Sequence, residues 1–264
     1  MSKKLAMIVA TILLFFSYIS PIKAIANTIR EPLTTEEKVI SPNNLIYALN
    51  IDKTVNGVMR CTGTYIGDNY LLTAGHCMTD RHGSLNSTQG VTAETNAASH
   101  PVAFKAFKKS VFSGNPFKPM SGYAGFQNFK NDVGLIKVTE PASVPLDTSG
   151  VHLTVHNDLQ YLVGKTISTV GYSRYFKGDL TKTQGTVLRV EEDGTLTVDF
   201  YVAEQNSGSP VFYNGEIIGV VTGVADVPNC QGSPMCSKAT ITPFTMDMKA
   251  KLFDPNGIPV SVIE

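Results

Sequence analysis

The sequence predicts an all-β protein built as a barrel or sandwich, and three observations carry that reading. Short apolar or alternating runs recur along the chain, with turn residues between them. No helical stretches intervene to build βαβ units. Helical character shows only late, at residues 245–253, where Met246, Met248, Leu252 and Phe253 supply the apolar positions of a terminal helix packed on a barrel.

In chain order, residues 1–26 read as a secretory signal. Lys3 and Lys4 precede an apolar run over 5–19, and Ala24-Ile25-Ala26 offers a small-residue cleavage site. The run is about 15 residues, short of the ~20 that a spanning helix needs, which argues against an uncleaved anchor. No other segment is long enough to span a bilayer. Residues 27–38 carry Arg30, Glu31, Glu36, Glu37 and Lys38 with few apolar neighbours, so they read as a short solvated propeptide, with cleavage after Lys38 freeing Val39. Strands are expected at 45–51, 63–66, 71–73 and 133–138. A Pro- and Gly-containing stretch at 140–150 connects two halves, and further strands are expected at 166–170, 185–190, 195–202, 210–212 and 216–221. The division expected is an N-terminal barrel over 39–145 and a C-terminal barrel with the terminal helix over 146–264.

At 264 residues, with 42% hydrophobic and 17% charged content, the chain holds one large or two small domains with a sizeable core. Loss of the leader removes Lys3, Lys4 and Lys23 and no acid, leaving 19 of the 22 basic residues against 22 acidic ones. A net charge near −3 points to neither nucleic acid nor an anionic membrane as partner. The expected location is extracytoplasmic, secreted or periplasmic.

Asn206-Ser207-Gly208-Ser209-Pro210 sets a serine among small residues on a tight turn before an alternating apolar strand. A serine hydroxyl is a poor nucleophile until a base takes its proton, and the base needs a carboxylate to hold its tautomer. His76 follows the apolar run of Tyr70-Leu71-Leu72-Thr73-Ala74-Gly75 and precedes Cys77. Asp132 heads Val133-Gly134-Leu135-Ile136-Lys137-Val138. His82, His100, His152 and His156 lack such a setting, while Asp68 and Asp80 stand too close to His76 to come from a separate strand end. His152 and His156 have metal-like spacing on a helix, but Val151, Leu153 and Val155 alternate with polar residues as a strand does, and no glutamate adjoins the first histidine. Neither a metal nor an organic cofactor is called for. Four cysteines in an exported chain argue for two disulfides, with three pairings open, and no Cys-x-x-Cys spacing suggests zinc.

Taken together, the His76, Asp132 and Ser207 segments resemble the chymotrypsin-fold serine proteases, whose triad follows this chain order. Asn206-Ser207-Gly208-Ser209-Pro210 and Val39-Ile40-Ser41-Pro42-Asn43-Asn44 are most similar to the bacterial V8-like glutamyl endopeptidases, over roughly residues 39–250. The resemblance implies two antiparallel six-stranded β-barrels and a secreted serine endopeptidase, activated from a zymogen, acting on peptide or protein substrates and expected as a monomer. It implies Ser207 as nucleophile, His76 as base, Asp132 as orienting acid, and the N–H groups of Gln205 and Ser207 as the oxyanion hole. It also implies a Cys61–Cys77 disulfide, whose ends the strand pair delivering His76 would bring together. That leaves Cys230 with Cys236. The first bridge closes a loop of about 15 residues, worth roughly 3 kcal/mol in the chain-entropy model.

Three positions depart from the family pattern. Gln205 stands where glycine is usual, so the oxyanion peptide is expected to resist its working geometry. Val202 and Val221 stand where glutamyl endopeptidases place a Thr or Ser and a His, which points to a pocket for an apolar or small side chain. Asn206 replaces an Asp that in chymotrypsin-type zymogens pairs with the freed N-terminus. A catalytically weak or inactive exported binding protein on the same fold is the alternative expectation, and Gln205 is the feature that favours it.

Overall fold

The structure, a computed structural model, describes residues 30–53, 57–85, 91–95, 116–125, 128–138, 146–176, 178–225 and 238–264. The leader, His100, Cys230, Cys236 and most of the 140–150 connection lie outside the described residues.

A two-residue strand β1 (Glu31–Pro32) and a single helical turn α1 (Thr35–Lys38) come first. β2 (Ile46–Lys53), β3 (Gly57–Tyr65), β4 (Tyr70–Thr73), β5 (Val91–Glu94), β6 (Phe117–Pro119) and β7 (Gly134–Lys137) then pair in the order β5-β2-β3-β4-β7-β6. Every one of these pairings is antiparallel. Alternation decides the inner face: Tyr47, Leu49 and Ile51 of β2 are buried against Leu71, Val91, Ala93 and Ile136.

The second half comprises β8 (Leu153–His156), β9 (Thr166–Tyr172), β10 (Leu180–Val190), β11 (Leu196–Val198), β12 (Pro210–Tyr213), β13 (Glu216–Ala225), β14 (Lys238–Pro243) and β15 (Val260–Ile263). The antiparallel chain of pairings β9-β10-β11-β14-β13-β12 returns to β9 and closes a six-strand ring. Ring closure removes the free sheet edges that invite aggregation. Outside the ring, β8 pairs in parallel with both β13 and β15, and β1 adds to β10.

The terminal helix forms where its apolar residues place it. Thr245 caps α2 (Met246–Met248) by accepting the Met248 N–H, and the turns continue through Lys249–Phe253 and Asp254–Asn256. Its buried side chains join a cluster that seals the two halves together. Ile66, Leu72, Val133 and Leu135 from the first half meet Leu153, Val220, Phe244, Leu252 and Phe253 from the second.

Residues 30–38 depart from the solvated segment their composition predicts. Arg30 and Leu33 are 2% and 4% exposed, and Leu33 packs with Ile46, Val170, Tyr172 and Leu180. Glu31, Glu37 and Lys38 are paired, with Lys182 bridging the two glutamates and Asp179 meeting Lys38. Two buried anchors on an otherwise charged segment are enough to seat it.

Candidate active site

β4 is buried on every residue and pairs with β3 and β7, so the turn that follows it, Gly75–Cys77, is held on both sides. The Cys61–Cys77 disulfide ties β3 to that turn, as the resemblance implies. His76 is 4% exposed and Asp132 is fully buried. Asp132 grips His76 at two points: Oδ1 accepts the main-chain N–H at 2.7 Å and Oδ2 lies 2.7 Å from Nδ1. A carboxylate on Nδ1 keeps the proton there and leaves Nε2 as the acceptor. Burial, and then the Asp132 charge, push the hydroxyl of the adjacent Tyr123 above its ordinary range.

The Ser207 turn is built on Thr62 of β3. The Thr62 N–H donates to the Ser207 carbonyl at 2.8 Å. Its hydroxyl donates to the Gln205 carbonyl at 2.8 Å and accepts the Tyr172 N–H at 3.1 Å. Its carbonyl accepts the Thr73 hydroxyl at 2.8 Å, so one residue couples the serine turn to the strand that delivers His76. Gly208 has φ 83°, and a Cβ there would lie 2.2 Å from Thr73 Oγ1 and 2.3 Å from the Thr62 carbonyl, which requires glycine. The Cys77 Sγ lies 4.0 Å from the Ser207 carbonyl oxygen. The fold thus joins His76 directly to Asp132 and packs the Ser207 turn against the floor that carries them.

Gln205 adopts φ 77°, a left-handed conformation that favours glycine, at a cost of about 1–2 kcal/mol for a residue with a Cβ. Both flanking carbonyls are held. The Glu204 carbonyl accepts the Arg174 N–H at 3.2 Å, and the Gln205 carbonyl accepts the Thr62 hydroxyl. In a trans peptide C=O and N–H point oppositely, so the Gln205 N–H is directed away from Arg174. The side chains of Arg174 and Glu204 also pair. An open cavity of about 470 Å³ borders Gln205, Cys61, Arg60, Tyr172 and Arg174.

Val202 and Val221 are 3% and 1% exposed and share one apolar cluster with Val211, Ile218 and Ile241. Val221 is tied to the serine turn by its backbone: its carbonyl accepts from Gly208 at 2.7 Å and its N–H donates to Ser209 at 2.9 Å. Neither side chain offers a donor to a carboxylate. Asn206 is fully buried. Its amide nitrogen donates to the Tyr172 carbonyl and its oxygen accepts the Ala203 N–H at 2.8 Å, so both ends of the side chain hold the loop.

Sγ of Cys61, Sγ of Cys77 and a ring nitrogen of His76 lie within 4.8 Å of one another, but both sulfurs belong to the disulfide and cannot act as thiolate ligands. His156 ends the extended strand β8, so His152 and His156 do not share a helix face. Thr62, Tyr172 and Arg174 were not singled out by sequence reasoning. No motif marks them, because their roles come from strand pairings between distant segments.

A closed antiparallel barrel joined to a second six-stranded sheet, with a buried His–Asp pair beside a serine turn, defines the chymotrypsin-like class. The chain belongs to the trypsin family, whose sequence profile, "Trypsin", matches residues 40–242. It is 30% identical over 201 residues to a glutamyl endopeptidase of Bacillus licheniformis, covering 73% of this chain and 58% of that relative's length. Solved structures share the fold, among them the following three. One is a Glu endopeptidase in complex with MPD, with a TM-score of 0.55, 21% identity, and coverage of 81% of this chain and 91% of the other. The protease Anisep from Arthrobacter nicotinovorans gives a TM-score of 0.61 at 15% identity, covering 84% and 97%. The scabies mite inactivated protease paralogue S-I1 gives 0.55 at 14%, covering 83% and 94%.

Proposed function

We propose that the chain is an exported serine endopeptidase. The observation that carries this reading is the two-point grip of buried Asp132 on His76, beside a serine turn anchored to the same strands. Ser207 Oγ attacks a peptide carbonyl while His76 Nε2 takes its proton. The C–N bond then breaks as His76 returns that proton to the leaving amine. Water, deprotonated by His76, then attacks the acyl carbonyl, and the bond to Ser207 Oγ breaks as His76 returns that proton to the serine, with Asp132 holding the ring throughout. The N–H groups of Ser207 and Gln205 receive the oxyanion, a donor of this kind being worth about 2.7–4 kcal/mol of the barrier.

The preference for the side chain before the cleaved bond is apolar or small rather than Glu, since Val202 and Val221, buried behind the serine turn, place no carboxylate donor there. The leader at 1–26 directs export, and the enzyme works outside the cytoplasm as a monomer on peptide or protein substrates. Among the described residues no helix is long and apolar enough to cross a membrane.

Digestion of a peptide library by the purified protein and by Ser207→Ala tests this reading. Cleavage after apolar or small residues, absent in Ser207→Ala, is expected, and dominant cleavage after Glu overturns the specificity. A second reading, a peptide-binding protein without turnover, requires the Gln205 peptide to leave the left-handed conformation it holds here. Library peptides bound but uncut by the wild type would establish it.

A further inference from the structure

Arg30 is 2% exposed, on a segment whose composition predicts solvation. Nε donates to Thr181 Oγ1, Nη1 to the Tyr201 carbonyl at 3.4 Å, and Nη2 to the carbonyls of Gly171 and Thr181 at 3.3 and 3.5 Å. Among the described residues no carboxylate pairs with it. A buried cation without a counter-charge is costly, and burial pushes its pKa down to about 9, the Tyr201 hydroxyl opposing, so it remains charged at neutral pH.

The carbonyls it gathers belong to the walls of the Ser207 turn. Tyr201 begins the stretch that runs through Val202 and Gln205 to Ser207. Gly171 touches the turn itself, since a Cβ there would lie 1.9 Å from Ser209 Oγ and 3.3 Å from Thr62 Oγ1. The next residue, Tyr172, donates to Thr62 and accepts from Asn206. Arg30 therefore joins the two stretches that fix Thr62, Asn206 and the approach to Gln205. It is anchored there: Glu31 and Pro32 pair with Lys182 and Thr181, the Leu33 N–H donates to the Leu180 carbonyl at 3.0 Å, and a capping box on Thr34 and Glu37 starts α1.

We infer that residues 30–38 are a working part of the site rather than a dispensable propeptide, with Arg30 a positioning residue for the Gln205–Ser207 turn. The inference rests on the reading of Ser207 as nucleophile. It makes the competent chain one that begins at or before Arg30, and it makes cleavage after Lys38 a damaging event instead of an activating one.

The test compares the exported protein with Arg30→Met, Arg30→Lys and a chain starting at Val39. It reads kcat and KM on a peptide substrate, amide hydrogen exchange over 201–209, and the N-terminus of the active species by mass spectrometry. Arg30→Met and the Val39 chain are expected to lose at least tenfold in kcat, with KM changed less than threefold and exchange over 201–209 accelerated. Arg30→Lys recovers part of the loss. If Arg30→Met does not fold, Thr181→Val, which removes the hydroxyl that receives Nε and itself donates to the Gly171 carbonyl at 2.7 Å, is expected to lower kcat in the same way. A fully active species starting at Val39, or wild-type kcat and exchange in Arg30→Met or Thr181→Val, overturns the inference. If the wild type hydrolyses nothing, the catalytic reading fails, and exchange over 201–209 alone decides whether Arg30 holds the turn: unchanged exchange in the variants overturns that too.

Discussion

Gln205 holds φ 77° where the resemblance expects glycine, and the bonds on either side of it explain how. Arg174 and Thr62 hold the two flanking carbonyls, so the surroundings offset the strain and Gln205 keeps a glycine-like backbone. Gln205→Gly is accordingly expected to raise stability by about 1 kcal/mol in denaturant titrations and to leave turnover within threefold of wild type. A rise in turnover above tenfold would show that the peptide is misoriented in the free protein. At this scale the sequence was most readable. Ser207, His76 and Asp132 each sit in a short local pattern, and folding brings His76 onto Asp132. Val202 and Val221, reached by counting along the chain, lie buried in the apolar core of the second half. Thr62 was not reached in this way, because a lone threonine in a strand carries no mark of the carbonyl it will meet more than a hundred residues on.

Among the elements, β3 does the most for the site, since Thr62 gives its N–H, hydroxyl and carbonyl to the serine turn and its supports. Thr62→Val strands the Gln205 carbonyl and the Tyr172 N–H in a buried setting, at about 1–3 kcal/mol for each. The expected result is a loss of about 2 kcal/mol or more in stability and a fall in kcat larger than any rise in KM, measured on the folded fraction. Unchanged kcat would show that the clamp does not set the turn. Strands with strong apolar alternation, such as β2, β4, β7 and β13, were legible. The first half of β10 was not, because Thr181 and Thr183 are buried yet read as polar. Nor was β15, which is largely exposed and gains its order by pairing with β8. Residues 30–38 failed as a solvated segment for the converse reason: a run of charges hid the two residues that anchor it.

For the molecule as a whole, the halves are fused through one apolar cluster that includes the terminal helix, so local protonation is felt as global stability. His156 is buried against Tyr161 and Tyr213, with no described partner for Nε2. Burial lowers its pKa below the ordinary histidine value, with Glu216 acting weakly the other way. The folded form therefore keeps His156 neutral where the unfolded chain already binds a proton, and stability is lost as pH falls below about 6.5. His156→Phe is expected to lose less stability than wild type between pH 7.5 and pH 5. Identical losses in both proteins would contradict that assignment. The closed barrel and the six-stranded sheet beside it were foreseen through the resemblance, which implied two barrels. The parallel additions of β8 and β15 were not, since they pair segments far apart in the chain that carry no local mark of each other. Labelling of the purified protein by a fluorophosphonate probe tests the central claim most directly. The account predicts one adduct, on Ser207, abolished in His76→Ala and reduced in Asp132→Asn. An intact, folded wild type that takes up no label, or label that survives His76→Ala undiminished, would contradict it.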